Sequence, residues 1–363
     1  FFLPAVGAKH AGPASLISWA ILSLAAVYIS MCFAELTSMF PKAGGVYEFC
    51  KQAYGRFPSF MFGWMTLLAG NITIAMLVVG AIQYLIPFPA TFLKIGICLF
   101  FILVFNYMAY KGMRTSAFML ITFAFITVGT LLSLIIPGLI RLEPSNFTPF
   151  FVFPASAILV TIFLIAETFF GWETATFLAE ETKDGRKVMP KALIYGTIII
   201  AVICILFVIT SIGIMPWQEF GQAKAPLTEL GKAHFGSIGG DIFTILVYLS
   251  IIGSVAGWVV SAPRLVLALA QDGLFLKQFA KVHKKYSTPY KAIIFQTILT
   301  SILVIMGFGS YQTLLMLLVP LVLVMYSGVL LSLVILRFKR PDIKRFYKAP
   351  FGKVGPLLAV GFN

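Results

Sequence analysis

Charged side chains are scarce in this chain. They make up 11% of its 363 residues, where a soluble domain carries about a quarter, and no soluble domain is visible. Acids are scarcer still, with 13 Asp and Glu against 27 Lys and Arg. The four cysteines, Cys32, Cys50, Cys98 and Cys204, show no CxxC spacing. The three histidines, His10, His234 and His283, lie on different loops and form no ligand cluster. No metal centre, redox pair or cofactor is therefore expected, and the cysteines are read as packing residues. No GxxxxGK[ST] loop occurs, and no polar segment is long enough to hydrolyse a nucleotide, so direct use of ATP is excluded. No signal peptide is visible, but the chain opens within a helix, so this excludes nothing.

Apolar residues fill the gap, at 60% of the chain. A crossing of a bilayer needs about 20 consecutive apolar residues. Nine such runs lie near 15–40, 57–86, 91–110, 115–140, 155–180, 190–215, 241–270, 290–308 and 312–336, and residues 1–8 and 353–363 resemble cut helices. The fold class is an all-α polytopic membrane protein. The formal charge of +14 could suggest nucleic acid, so its distribution decides. With the loop after Phe40 placed inside, 22 of the 27 basic residues fall on inner segments, leaving Lys9, Lys94, Arg141, Lys224 and Lys232 outside. That asymmetry follows the positive-inside rule, so the charge sets topology and no nucleic-acid partner is expected.

Residues Thr161 to Glu181 carry the strongest chemical signal. This membrane-length segment holds Glu167 and Glu173 with Phe169-Phe170-Gly171-Trp172 between them. An acid at the centre of a membrane helix costs about 2.5–3.5 kcal/mol on insertion scales, and such residues face cavities or partners. A glycine among bulky aromatics marks a place where the helix can unwind and offer backbone amides and carbonyls to a solute. Phe169, Phe170 and Trp172 would cover that solute, or these rings pack helices. Glu167 would supply countercharge to a cation. Glu173, beyond the break, is either a coupling acid or a glutamate tying its helix to neighbours. Asn71 is either a ligand or a helix-packing amide. Glu35, at the inner end of its helix, reads as an interfacial or gate-locking residue. The mixed-charge run from Glu180 to Lys187 reads as solvated or as part of an inner gate, and the outer segments 141–154 and 216–240 as connectors or short lids.

Four stretches together resemble the amino acid, polyamine and organocation permease superfamily, whose members have the leucine-transporter fold. The first is Ala34-Glu35-Leu36 with Pro41 and Gly44-Gly45-Val46-Tyr47; the second is Phe170-Gly171-Trp172-Glu173 with Ala179-Glu180-Glu181 and Met189-Pro190-Lys191. The third is Arg264 with Gln271-Asp272-Gly273-Leu274-Phe275 and Thr288-Pro289; the fourth is Arg337 with Pro341-Asp342, Lys344-Arg345 and Pro350. The resemblance spans nearly the whole chain in the family's order. It implies a single transporter domain, 1–363, of two inverted five-helix repeats, about 1–140 and 155–336, with broken helices 1 and 6 and the start of helix eleven at 353–363. By the same comparison the chain is truncated at both ends. Ala69-Gly70-Asn71 and Ala256-Gly257-Trp258 would then occupy corresponding third helices. Gly70-Asn71-Ile72 and Gly257-Trp258 are similar to pocket positions of the superfamily's arginine/agmatine antiporter, which implies an amide contact from Asn71 and an aromatic wall from Trp258, holding a cationic or aliphatic side chain by cation–π or apolar contact unless the ring only packs helices. Two departures stand out: Glu167 falls where the family usually has a gating aromatic, and Thr127 where many proton-coupled members carry a helix-five lysine.

The expected function is secondary active transport of amino acids by alternating access, as a multi-pass protein of the plasma membrane surrounded by membrane lipid. Proton-coupled symport or exchange is expected ahead of sodium coupling, and a polyamine or basic amino acid antiporter is the alternative. An intramembrane enzyme would need a nucleophile, a metal cluster or convergent acids, and no catalytic set is present. A channel suits bulky aromatics around a helix break less well than a carrier that occludes its solute.

Overall fold

The computed structural model describes residues 2–42, 44–86, 91–307 and 311–362. Phe1, Phe308 and Asn363, which enter the sequence expectations above, lie outside them, as do Ala43 between Pro41 and Gly44 and the side chain of Arg114. In hydrocarbon each backbone polar group must find its partner within the segment, and long apolar runs satisfy this as helices. Among the described residues the chain is helical and no strand occurs. The order is α1 Leu3–Ala11, α2 Ser15–Met39, α3 Val46–Tyr54, α4 Arg56–Leu85, α5 Thr91–Lys111, α6 Met113–Ile140 and α7 Ser156–Ile165. It continues with α8 Trp172–Phe177, α9 Gly185–Ile214, α10 Trp217–Gln222, α11 Pro226–Gln271, α12 Tyr290–Met306, α13 Tyr311–Lys339 and α14 Val354–Phe362.

Among the described residues, eight segments are long and apolar enough to cross a membrane, one of them formed by α1 and α2 together and another running from α7 through α8. The nine expected crossings map onto these eight plus α12. At 17 residues, α12 rises only about 26 Å, short of a hydrocarbon core of about 30 Å. The joint between α1 and α2 is a 3₁₀ turn, Gly12–Ala14, so the first helix is a separate short piece set on the outer end. There α10 packs across it. The outer segments hold only short helical pieces, and α11 bends at Gly236 where the outer arm meets the crossing.

The bundle is built from long pairings: α2 runs along α9, α4 along α11, and α5 along α12, while α6 packs on α11 and α13 on α4. Their shared interior holds Trp19, Phe33, Tyr47, Met76, Phe177 and Tyr326, all fully buried. The outer faces of α6 and α9 keep Phe118, Phe125, Tyr195 and Ile199 exposed, the pattern of a surface solvated by lipid rather than water.

Candidate functional site

The span from α7 to α8 is interrupted at mid-length. The α-helix ends at Ile165, a 3₁₀ turn covers Ala166–Phe169, Phe170 is extended, and α8 begins at Trp172. Gly171 carries the reversal with φ 125° and ψ 1°, a region closed to residues with a Cβ except under strain. Because Gly171 leaves the helical path, its N–H donates to the Tyr326 hydroxyl on α13 at 3.0 Å instead of to a carbonyl of its own helix. Its carbonyl accepts from the Thr174 hydroxyl at 2.6 Å and the Thr174 N–H at 3.0 Å, fixing the first turn of α8.

The break opens on a cavity of about 480 Å³. Glu167, Phe169, Phe170, Gly171 and Trp172 line it from the broken span; Thr73 and Leu77 from α4, Thr197 from α9, and Ser254 and Trp258 from α11 complete much of the wall. Glu167 is half-buried. Among the described residues it is the one carboxylate on that wall, with no cationic side chain beside it there, and it has no hydrogen bond or ion pair. Trp258 is held against Gly70, where a Cβ would lie 2.7 Å from the indole ring. The two Ala-Gly sites singled out in the sequence thus meet where α4 crosses α11. The Trp172 indole N–H donates to Thr197 Oγ1 at 2.8 Å, which ties the start of α8 to α9.

Behind the break lies a fully buried acid. Glu173 accepts a 2.6 Å hydrogen bond at Oε2 from the Tyr326 hydroxyl, and its Oε1 has no partner. One hydroxyl therefore joins the carboxylate to the amide of the hinge glycine. Rings of Phe33, Phe170 and Trp172 surround Tyr326 with centroids at 5.4–5.6 Å, so the link sits in an aromatic shell.

The family model described as amino acid permease matches residues 1–362. The chain belongs to the amino acid permease family. The branched-chain amino acid permease BcaP of Bacillus subtilis (strain 168) is 25% identical over 392 residues, covering all of this chain and 82% of that protein. The methylthioribose transporter of the same organism is 26% identical, covering 98% and 80%. The b(0,+)-type amino acid transporter 1 of Mus musculus is 26% identical, covering 94% and 72%. This permease is a multi-pass integral membrane transporter, and its relatives are transporters rather than enzymes.

Not every residue singled out in the sequence reaches the permease's cavity. Asn71 does not line it. Its Nδ2 donates to the Leu67 carbonyl at 2.8 Å and its Oδ1 accepts from Thr300 Oγ1 at 2.8 Å, so the amide binds α4 to α12 and both functions are occupied. A helical register one residue off the wall accounts for this: Gly70 faces Trp258, and Asn71 turns about 100° away. Thr127 is half-buried on α6 and stands apart from the wall. Glu35 is fully buried at the inner end, paired with Arg337 through Nε at 3.0 Å and through Nη2, with Arg345 at 3.2 Å, and with the Ala349 N–H at 2.7 Å.

Two further ties close the same end. Asp272, just past α11, accepts from Tyr47 at 2.7 Å and Lys51 at 2.6 Å on α3. Burial pushes the Asp272 carboxyl up, but the Lys51 and Tyr47 bonds outweigh it and hold the group below the usual carboxylate range. Glu181 pairs with Arg264 through two nitrogens, linking the segment after α8 to α11. Tyr326, Thr73, Thr197 and Ser254 escaped the sequence reading. Each sits in a mostly apolar helix close to another polar residue, such as Ser327, Ser250, Asn71 or Tyr195, and only the i,i+3/i,i+4 face it shares with packed neighbours could have marked it.

Proposed function

We propose that this permease carries amino acids across the membrane by alternating access, with the solute held at the Phe170–Gly171 break. One observation carries the reading: the interrupted span opens its non-helical backbone onto a cavity of about 480 Å³. Removing a zwitterion from water requires donors for its carboxylate and acceptors for its ammonium, and unwound backbone supplies both without a charged side chain, the Gly171 N–H and carbonyl exchanging their Tyr326 and Thr174 partners for the solute. Phe170 and Trp258 are the substrate-covering rings in this reading, with Phe169 and Trp172 behind them.

The helix pairings support two inverted five-helix repeats. If α1 corresponds to α7–α8, then α2 corresponds to α9, α4 to α11, α5 to α12 and α6 to α13. Each of α2, α4 and α5 packs on its own counterpart, and the α6–α11 contact is mirrored by α13–α4. A pseudo-two-fold axis generates this arrangement. Within it, Glu173 is the group we assign to coupling, because its free Oε1 lies behind the hinge and Tyr326 connects it to Gly171. Proton symport or exchange is favoured over sodium coupling.

The test is counterflow with full-length protein in liposomes. Saturable flux accelerated by amino acid on the opposite side is expected, and collapse of the proton gradient should abolish net accumulation while leaving exchange intact. Flux that neither saturates nor responds to substrate on the opposite side would overturn the carrier reading.

A basic amino acid or polyamine as substrate is favoured by Glu167. A lone carboxylate on a wall free of cationic side chains attracts a cation. Glu167→Gln should weaken uptake of cationic substrates at least tenfold relative to neutral ones. Equal losses for both classes would remove this second reading.

A further inference from the structure

The inner end of α9 forms a basic hollow that the transport cycle described above does not use. Arg186, Lys187 and Lys191, together with Tyr195 and Phe346, line a cavity of about 530 Å³. Arg186 also belongs to the wall of an adjoining cavity of about 430 Å³, where Lys42, Arg340 and Lys344 approach from two other segments. Phe346 gathers the cations: the Lys187 and Lys344 ammonium groups lie 5.9 and 5.0 Å from its ring centre. Lys42 is paired with Glu48 at 3.3 Å, and Glu181 is taken by Arg264. Among the described residues no carboxylate pairs with Arg186, Lys187, Lys191, Arg340 or Lys344, although Asp184 and Asp342 are near in sequence.

Positive charge on an inner loop is expected from topology alone, but topology does not require that cations from three chain segments converge on shared hollows. Like charges brought together without counterions repel, and an anion with several oxygens would relieve that repulsion through charge-assisted hydrogen bonds. The surroundings select the kind of anion. Directly outward along α9, Tyr195 and Ile199 are 62% and 57% exposed and Ile198 is 38% exposed, so the basic hollow runs into an apolar face at the depth of the lipid chains.

We infer that this hollow is a binding site for the headgroup of an anionic phospholipid of the inner leaflet, with its acyl chains along the exposed face of α9. The phosphate is shared by Arg186, Lys187 and Lys191, and Lys344 reaches it from beyond α13. Phe346 and Tyr347 belong to the same inner segment as Arg345 and Ala349, which grip Glu35. Lipid bound here therefore braces α9 against the segment that locks α2 and α13.

The experiment uses the full chain in nanodiscs of phosphatidylcholine alone or with phosphatidylglycerol, reading lipid retained on extraction by native mass spectrometry together with the melting temperature. Wild-type protein is expected to retain phosphatidylglycerol selectively and to melt higher in its presence. Each charge removed should weaken retention about fivefold, so Arg186→Gln with Lys187→Gln and Lys191→Gln should abolish it. That variant's melting in phosphatidylcholine alone should match wild type, separating lost binding from lost folding. Lys183→Gln, a cation of the same loop outside the hollow, should retain lipid normally. Equal retention of both lipids, an unaffected triple variant, or an equal effect of Lys183→Gln would overturn the assignment. Displacement of the lipid by millimolar inorganic phosphate would overturn it too, in favour of a small-anion site.

Discussion

At Gly171 the backbone geometry and the surrounding space make separate demands. A Cβ placed there would meet nothing within 4 Å, but φ is 125°. Gly171→Ala therefore tests conformation without a packing clash, and the strain is on the order of 1–3 kcal/mol. The expected outcome is protein that still folds, melts a few degrees lower, and has lost most of its counterflow. Gly70 is the opposite case, since a Cβ there would press the Trp258 ring at 2.7 Å within an ordinary helix. Gly70→Ala should displace Trp258 from the cavity wall and raise the substrate concentration needed for half-maximal uptake. Removal of a single oxygen in Tyr326→Phe leaves the buried Glu173 carboxylate and the Gly171 amide without their shared partner. Leaving such groups unpaired costs about 1–3 kcal/mol each, and transport should fall at least tenfold while the aromatic shell keeps the protein folded. Gly171 and its aromatics were legible in the sequence because a glycine amid large rings and acids is anomalous within an apolar span. Tyr326 was not, because one tyrosine in a long apolar helix has the same local pattern whether it faces lipid, a ring cluster or a carboxylate.

Among the helices, the short inner elements do the fastening. Glu35 joins α2 to the end of α13 and to the segment beyond it, and both Glu35 and the Arg337 side chain are nearly or fully buried. Breaking a buried pair by removing one partner costs about 3–5 kcal/mol, because the other charge stays behind without water. Glu35→Gln should therefore lower the melting temperature in detergent far more than Lys232→Gln, whose exposed pair with Glu229 contributes little. The tie from α3 to α11 has a defined pH dependence. Asp272 is held below the ordinary carboxylate range in the folded protein, so its contribution is fully present above the unfolded value of about 3.9. It is lost only as pH falls through the lower folded value. Amide exchange in α3 should then be flat from neutral pH down to about 5, after correction for intrinsic rates. Asp272→Asn should raise it at every pH in that window. The long helices themselves, α12 among them, could be read from apolar length, whereas the short α3 and α10 could not. Partners such as Arg264 with Glu181 could not, since the sequence gives two charges 83 positions apart and no measure of which loop folds against which helix.

Across the whole molecule, the ion pairs are distributed as unevenly as the charges. Among the described residues, the pairs of Glu35, Glu48, Glu181 and Asp272 all lie at the inner end, and Lys232–Glu229 stands alone outside. In the alternating-access reading proposed above, opening a path from the cavity to the inner face would separate α3 and the segment after α8 from α11 and break the Asp272 and Glu181 ties. Opening outward requires neither. The free-energy difference between the two states is set in part by these ties, so the unliganded protein should favour the state closed inside. Ser254→Cys on the cavity wall provides the readout, using a thiol reagent that cannot cross the bilayer. Labelling is expected from the outer side and only slowly from the inner side. Adding Lys51→Gln and Glu181→Gln should speed inner labelling severalfold and slow outer labelling in proportion, because one population grows at the other's expense. Equal rates from both faces before and after those changes would mean that the inner pairs hold loops together without biasing access.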